Sequence, residues 1–225
     1  MPIRTAFAVL LSLLVAVSAS AAERWVYLSS FDMLRVEGPF RVTLTTASSP
    51  RGMFSGDDKA LRGVEAQVMG STLVVRRAGG GDNAPVTLTI AAPPLSGVTV
   101  IGGAQVTVQA LKGNALAISV TGTSEVRVGR VDGDRLAATL LGPARLSIDG
   151  GRVGKARLAA IGPAAIAADG VEAGDLSVTL DGPGEIAARA RYTAAVANGG
   201  LGKVTVAGTP KCRVTGGGSV RCGMK

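Results

Sequence analysis

Two aspartates, Asp149 and Asp169, occupy equivalent positions in successive units of an internal repeat, and each is followed by a glycine. Two carboxylates about 5 Å apart can hold Ca²⁺ or serve as the acid and nucleophile of a retaining glycosidase. Asp-Gly is also a frequent turn pair, because both residues tolerate the backbone of a tight turn. We therefore interpret Asp149 and Asp169 as turn residues, with a cation site or glycoside-processing site as the alternative.

Other groups that commonly perform catalysis or bind metals are scarce. The chain contains no histidine, which excludes histidine-based triads and histidine metal ligation. The glycine-rich stretches 79–81 and 216–218 lack the Lys-Ser/Thr of a phosphate-binding loop. We predict no catalytic, cofactor-binding or metal-binding residue, and a protein that is not an enzyme.

The elements that would position these residues follow from the repeat. A glycine recurs at a constant interval of about 20 residues and is followed by apolar side chains four and six positions later. Such a period indicates one supersecondary unit stacked on itself, with the glycines as structural turn residues. The repeating glycines are Gly102, Gly122, Gly142, Gly162 and Gly182.

Each unit contains two apolar segments that alternate at period two, as strands with one buried side do. Two strands and two corners in a unit of this length are typical of one coil of a parallel β-helix. Parallel crossovers are almost always right-handed, so we predict an all-β, right-handed parallel β-helix of about seven coils. Such coils can also form a three-faced prism if their corners are themselves short strands, and the competing architecture is an antiparallel sandwich with a turn about every 8–12 residues.

The chain divides into three parts. Residues 1–22 resemble a secretory signal peptide, with Arg4, an apolar run and a small-residue cleavage site before Ala22 or Glu23. Residues 23–84 form a strand-rich N-terminal cap in which 48–59 and 79–83 are predicted loops. Residues 85–225 form the coils, whose register is expected to begin at Val86 and Leu88, one repeat before Val106 and Val108.

Both cysteines fall in the last coil. Cys212 and Cys222 would pair in an oxidising compartment and staple that coil, with two buried thiols as the alternative. The repeat places Cys212 in the inward column of Val178 and Val196, and Cys222 in the column of Val206.

Charge and composition limit the classes of partner that the protein is expected to bind. The net charge is +8, or +7 without the leader, but basic residues are dispersed and aromatic residues make up only 3%. Nucleic-acid binding requires a concentrated basic stripe or stacking platforms, so we predict no nucleic-acid partner. A weak attraction to anionic polymers is compatible with this charge.

Outward positions of successive coils should become neighbours. The residues three positions after each repeating glycine should form one column, and those five positions after it a second. Neither predicted column has adjoining carboxylates. The first reads Gln105, Glu125, Arg145, Ala165, Glu185, Lys203, and the second Thr107, Arg127, Ser147, Ala167, Ala187, Thr205.

Several segments resemble a known bacterial family. Residues 31–42 (FDMLRVEGPFRV), 56–58 (GDD) and 70–75 (GSTLVV), with the glycine-punctuated coils, are similar to the family called putative autotransporter adhesin, head GIN domain. The resemblance covers about residues 30–220 and involves turn glycines and strand patterns. It implies a right-handed β-helix that is exported to the cell envelope.

We therefore predict an exported scaffold or adhesin-like binding module, located in the periplasm or at the cell surface. Its partner would be an envelope or extracellular polysaccharide or a protein, bound on a flat lateral sheet of outward Arg, Thr, Ser and Gln side chains. The alternatives are a carbohydrate-processing lyase or hydrolase on the same face, and an oligomer joined at its coil edges.

Overall fold

The computed structural model describes residues 22–79 and 84–224. The predicted signal peptide lies outside these residues except for Ala22, which begins the first strand. Of the predicted loop 79–83, only Gly79 is described.

The described residues form 17 strands and one short helix. The N-terminal elements are β1 (Ala22–Tyr27), β2 (Met33–Glu37), β3 (Phe40–Thr46), β4 (Arg51–Gly56), α1 (Asp58–Arg62), β5 (Val64–Met69), β6 (Thr72–Arg77), β7 (Val86–Ala92) and β8 (Gly97–Gly102). The strands that follow are β9 (Gln105–Gly122), β10 (Glu125–Leu141), β11 (Arg145–Ile148), β12 (Gly151–Ile161), β13 (Ala165–Asp181), β14 (Glu185–Asn198), β15 (Lys203–Gly208), β16 (Lys211–Thr215) and β17 (Ser219–Met224).

The predicted parallel β-helix is confirmed. From β9 to β13 every strand pairs in parallel with its equivalent one coil on, at the constant offset of the sequence repeat. The parallel pairing excludes the antiparallel sandwich for these coils. The solenoid has about six turns, one fewer than expected.

Each full coil has three strand segments rather than two. Between β9 and β10 the pairing covers 125–128, 130–133 and 135–141, and it is interrupted at Gly129 and Asp134. The inward side chains of the three segments meet in one apolar core. The narrow interior is filled by medium-sized and small side chains, such as Val126, Leu136 and Ala138, each at most 2% exposed.

The start of the coil register differs from the prediction. β3 lies between β7 and β9, so Val42 is the neighbour of both Leu88 and Val106. In the same way β2 lies between β6 and β8. Leu88 is therefore two coils from Val106, and Val86 is aligned with Phe40. After β1, which lies at the outer edge of the sheet, β2 and β3 form the second coil, β6 and β7 form the first coil beside it, and β8 and β9 continue on its other side.

The predicted loop 48–59 is also wrong in part. β4 pairs antiparallel with β1 and β7, and Phe54 on β4 is fully buried. α1 follows with Asp57 as its N-cap, whose carboxylate accepts a hydrogen bond from the Lys59 amide at 2.9 Å. β4 and α1 lie at the end of the core, and the sequence did not predict them because their apolar residues stand in adjacent pairs, Met53–Phe54 and Ala60–Leu61, without alternation. β5 and β6 form an antiparallel hairpin around Gly70.

A disulfide links Cys212 on β16 to Cys222 on β17, whose Cα atoms are 6.4 Å apart. Cys222 pairs with Val206 as expected. Cys212 instead pairs with Ala194, and Val214 takes the place beside Val196. The predicted column was wrong because it shortened the last coil before β16, whereas β16 follows β14 at the same offset at which β14 follows β13, and the further shortening appears only in the pairing of β15 with β17.

Candidate binding faces

The first candidate surface is the sheet formed by the first segment of each coil, here called the long face. It contains eleven strands in the spatial order β1, β4, β7, β3, β9, β10, β11, β13, β14, β15, β17. At about 4.8 Å per strand it is roughly 48 Å long. The two predicted outward columns lie on this face.

The observed columns extend the predicted ones at both ends. One reads Glu23, Ser55, Thr87, Arg41, Gln105, Glu125, Arg145, Ala165, Glu185, Lys203, Ser219. The other reads Trp25, Met53, Thr89, Thr43, Thr107, Arg127, Ser147, Ala167, Ala187, Thr205, Arg221. Because neighbouring coils present different side chains, the face is a polar strip without a carboxylate cluster.

One end of the long face is aromatic. Trp25 is 64% exposed and Tyr27 is fully exposed, and both point outward from β1. Sequence reasoning missed these residues as part of the face, because the antiparallel pairing of β1 with β4 has no periodic signature.

The second candidate surface is an open groove of about 1010 Å³ on the middle segments of the coils, here called the charged groove. Its lining contains glycines, whose missing side chains leave the depression, and charged side chains around them. The glycines are Gly113, Gly133, Gly151, Gly154, Gly170 and Gly174, and the charged residues are Lys112, Arg130, Asp132, Asp134, Arg152, Asp169, Glu172, Arg189 and Arg191.

Charges of opposite sign alternate along the groove. Lys112, Asp132, Arg152, Glu172 and Arg189 are successive neighbours on β9, β10, β12, β13 and β14. The first four recur at the regular repeat interval, so the sequence contained this signal, in a column that the prediction did not inspect. The groove is therefore a ladder of charges parallel to the solenoid axis.

The most strongly perturbed carboxyl in the groove is Asp132. Arg130 donates two hydrogen bonds to it, at 2.6 and 3.2 Å. The hydrogen bond from Arg130 is the main cause that lowers the pKa of Asp132 below its ordinary 3.8, and the positive charges of Arg130 and Lys112 act in the same direction. Asp132 is thus held ionised by its neighbours.

The C-terminal end of the groove has a different composition. Glu172 contacts two guanidinium groups, Arg152 at 3.5 Å and Arg191 at 4.0 Å. Arg189 donates to the main-chain carbonyl of Asp169 at 3.0 Å. The Arg191 guanidinium lies 5.2 Å from the ring centre of Tyr192, whose side chain is 57% exposed.

The predicted carboxylate pair is not assembled into a cluster. Asp149 and Asp169 are both exposed, and only Asp169 lines the groove. In the part of the chain that the structure describes, no group of three or more Cys, Asp or Glu residues could hold a metal ion. Gly170 lies directly against the main chain of Asp149, so the two Asp-Gly pairs are stacked, but Asp169 and Gly170 belong to β13 and the predicted turn is wrong there.

The five repeating glycines lie at one corner of successive coils. Their φ angles are +108° at Gly102, +87° at Gly122, +82° at Gly142, +86° at Gly162 and +124° at Gly182. L-residues rarely adopt these values, so the corner requires glycine. The glycines shape the coil and offer no functional group.

Residues 30–210 match the family described as "Putative auto-transporter adhesin, head GIN domain". The chain belongs to this family. Among described residues, no helix has the length and apolar character needed to cross a membrane. The comparison with curated proteins found no match.

Several solved structures share the fold. A putative adhesin from Bacteroides fragilis has a TM-score of 0.82 at 18% identity, with 91% of this chain and 98% of the other covered. A putative adhesin from Parabacteroides merdae has a TM-score of 0.72 at 15% identity, covering 92% and 97%. A putative lipid binding protein from Parabacteroides distasonis has a TM-score of 0.63 at 17% identity, again covering 92% and 97%. At these identities the likeness shows a shared fold, and an adhesin-like module fits it.

Proposed function

We propose that the protein is an exported, non-enzymatic, adhesin-like binding module of the bacterial cell envelope, which engages an extended polymer along a lateral surface of the solenoid. The partner class is an envelope or extracellular polysaccharide or an extended protein segment. The location is the periplasm or the cell surface.

One observation supports this function most directly. On both the long face and the charged groove, outward side chains of successive coils align in columns parallel to the solenoid axis. Successive positions of a column lie about 4.8 Å apart, so a linear polymer that lies along the axis can contact the side chains of several coils at once. Many weak contacts along one chain add up to useful avidity.

Export is supported by two further features. Disulfides persist in oxidising compartments, and Cys212 is linked to Cys222 here. The family description also refers to auto-transporter adhesins. Together with the leader-like residues 1–22, these features favour a periplasmic or surface location.

Carbohydrate processing is the competing function, and it would need two cooperating carboxylates. Asp149 and Asp169 are both exposed to solvent; Asp149 follows β11 directly, whereas Asp169 lies within β13 rather than in a turn. A glycoside-processing site usually encloses its two carboxyls in a cleft around the scissile bond, and these two side chains are open to solvent. The proposed module therefore binds its polymer and releases it unchanged.

A binding-and-turnover screen tests this proposal. Protein lacking residues 1–22 is incubated with immobilised envelope and host polysaccharides, with and without Ca²⁺, and both retention and new reducing ends are measured. We expect saturable retention without turnover. Turnover that Asp149→Ala with Asp169→Ala abolishes would replace the proposal with an enzyme, and absence of retention on every polymer would overturn the polysaccharide-binding function.

A further inference from the structure

We propose that the C-terminal end of the charged groove is a subsite for an acidic sugar, in which Arg152 and Arg191 bind the carboxylate and Tyr192 contacts the sugar ring. This inference rests on the proposed polymer-binding function and assigns it a ligand class, a polyuronic acid.

The floor of the subsite is open because two glycines lie there. Gly154 and Gly174 line the groove on adjacent coils, and a Cβ at Gly174 would lie 3.6 Å from Cδ2 of Tyr192. A larger residue at Gly174 would also meet the main chain of Gly154 at 2.6 Å. A ligand can therefore approach the backbone here beside the tyrosine ring.

A change in coil length places the tyrosine at this position. The pairing of β13 with β14 shifts between Ala168 and Glu172, and again between Ala173 and Asp175. The first shift shortens the corner and brings Arg189 opposite Glu172, and the second is a bulge that contains Arg191 and Tyr192. Bulges commonly re-aim side chains next to functional sites. The exposed ring is notable in a chain with only 3% aromatic residues.

The charge balance at this end favours an anion. The guanidinium groups of Arg152, Arg189 and Arg191 line this end together with two carboxylates, Glu172, which contacts Arg152 and Arg191, and the exposed Asp169, so one positive charge is in excess. The contact of Arg189 with the Asp169 main-chain carbonyl neutralises no charge. At the other end, by contrast, Arg130 is matched by the two hydrogen bonds to Asp132. An incoming carboxylate can compensate the excess positive charge.

The chemistry of these groups selects a uronic acid over a simple anion. Guanidinium groups bind carboxylates through paired hydrogen bonds. A tyrosine presents an apolar ring face with a polar tip, which suits the apolar face of a sugar and its hydroxyls. The groove continues along the axis past Arg152 towards Lys112, so further residues of a linear chain can follow the first.

The test uses oligogalacturonate, a linear uronic acid polymer, and its methyl ester, which has the same backbone without the charges. Titration calorimetry is performed with the unaltered protein, the double variant Arg152→Gln/Arg191→Gln, and Tyr192→Ala. Arg157→Gln, which removes an exposed arginine on another segment, is the control for loss of a positive charge outside the groove.

We expect oligogalacturonate to bind more tightly than its ester, and the double variant to lose about tenfold or more in affinity. Tyr192→Ala should lose roughly threefold to tenfold, and Arg157→Gln should bind as the unaltered protein does. Amide chemical shifts of residues 151–154 and 189–193 should move on titration of the unaltered protein, a measurement that needs no variant.

Equal affinity for acid and ester, unaltered affinity in the double variant, or shifts confined to the long face would overturn the subsite. If the protein binds only neutral polymers, the subsite is wrong and the proposed binding function stands. If the protein retains no polymer in either experiment, both proposals fail.

Discussion

The guanidinium of Arg152 lies 3.5 Å from the carboxylate of Glu172, one coil further along the solenoid. The two residues are one repeat apart in sequence and directly paired between β12 and β13. Their side chains are 78% and 41% exposed, so solvent screens the attraction. The pair therefore adds little to folding stability, and its main effect is on the local charge of the groove.

Replacing Glu172 with Gln separates these two effects. We expect the free energy of unfolding to change by less than about 1 kcal/mol, because the ion pair is exposed. Affinity for oligogalacturonate should rise, since the carboxylate that competes for Arg152 and Arg191 is gone. Calorimetric titration with oligogalacturonate measures this affinity. Glu185→Gln, which removes the partner of Lys203 on the long face, is the control and should leave the affinity unchanged. Weaker binding of oligogalacturonate by Glu172→Gln would contradict the proposal that Arg152 and Arg191 bind its carboxylate.

Gly182→Ala should destabilise the fold. Gly182 has a φ of +124°, and a Cβ there would lie 2.9 Å from main-chain atoms of Gly162. Such strain costs about 1–3 kcal/mol, measurable by urea unfolding. Gly103→Ala is the matched control, because its Cβ would make only an ordinary 3.7 Å contact with Thr123. Equal stability of the two variants would show that the corner tolerates side chains.

Asn198 is a buried polar residue at the end of the core. Its side-chain amide donates to the carbonyls of Gly202 at 2.9 Å and Ser219 at 3.1 Å, and its oxygen accepts from the Gly200 amide at 3.3 Å. It occupies the inward column of Leu180. Asn198→Leu keeps an apolar column but removes these partners, at about 1–3 kcal/mol for each group left unsatisfied.

Thermal and urea unfolding of Asn198→Leu would measure this loss. The exposed Asn114→Leu is the control and should stay within about 0.5 kcal/mol of the unaltered protein. A stability equal to that of the control would mean that hydration replaces the lost hydrogen bonds.

Removal of the disulfide should act locally. Cross-linking Cys212 to Cys222 closes a short loop, which stabilises by about 2–3 kcal/mol in the chain-entropy description. In a solenoid each coil contacts only its neighbours, so the effect should concentrate in the last coil. For Cys212→Ser/Cys222→Ser we expect hydrogen-exchange protection to fall in β16 and β17 and to persist in β10 and β12. A uniform loss of protection would show instead that the solenoid unfolds as one unit.

Asp132 gives a stability contribution that depends on pH. The hydrogen bond from Arg130 lowers its pKa in the folded state below the ordinary 3.8. The contribution is therefore complete above 3.8 and is lost as pH falls through the lowered value. It is modest, because the side chain is 38% exposed. The difference in unfolding free energy between the unaltered protein and Asp132→Asn should shrink below pH 3.8. A difference that grows there would contradict a lowered pKa of Asp132 in the folded state.

The regular period was sufficient to predict the columns of the long face between Gln105 and Glu185. Glycine positions that recur at a constant interval require coils of equal length, and equal coils stack residue on residue. The same rule would have found the ladder from Lys112 to Glu172. It could not find Arg189, which joins that ladder after a shorter interval than the others.

Predictions failed where coils differ in length or where strands arrive from elsewhere in the chain. Cys212 was placed beside Val196 but lies beside Ala194, because the last coil is shortened after β16 and not before it. Val86 and Leu88 were placed next to Val106 and Val108, whereas β3 lies between them. The spacing of apolar residues along the sequence indicates neither the insertion of β3 nor the strand partners of Trp25 and Phe54.

The sequence by itself determined the coil, its glycine corner and the neighbours of each outward residue within the regular turns, because those properties follow from a repeated local pattern. Only the tertiary structure decided which strands lie at the N-terminal end, and how Arg191 meets Glu172 and Tyr192 comes to lie beside Gly174. Those contacts depend on non-local pairing and on a bulge, which arise from the path of the whole chain rather than from any interval within it.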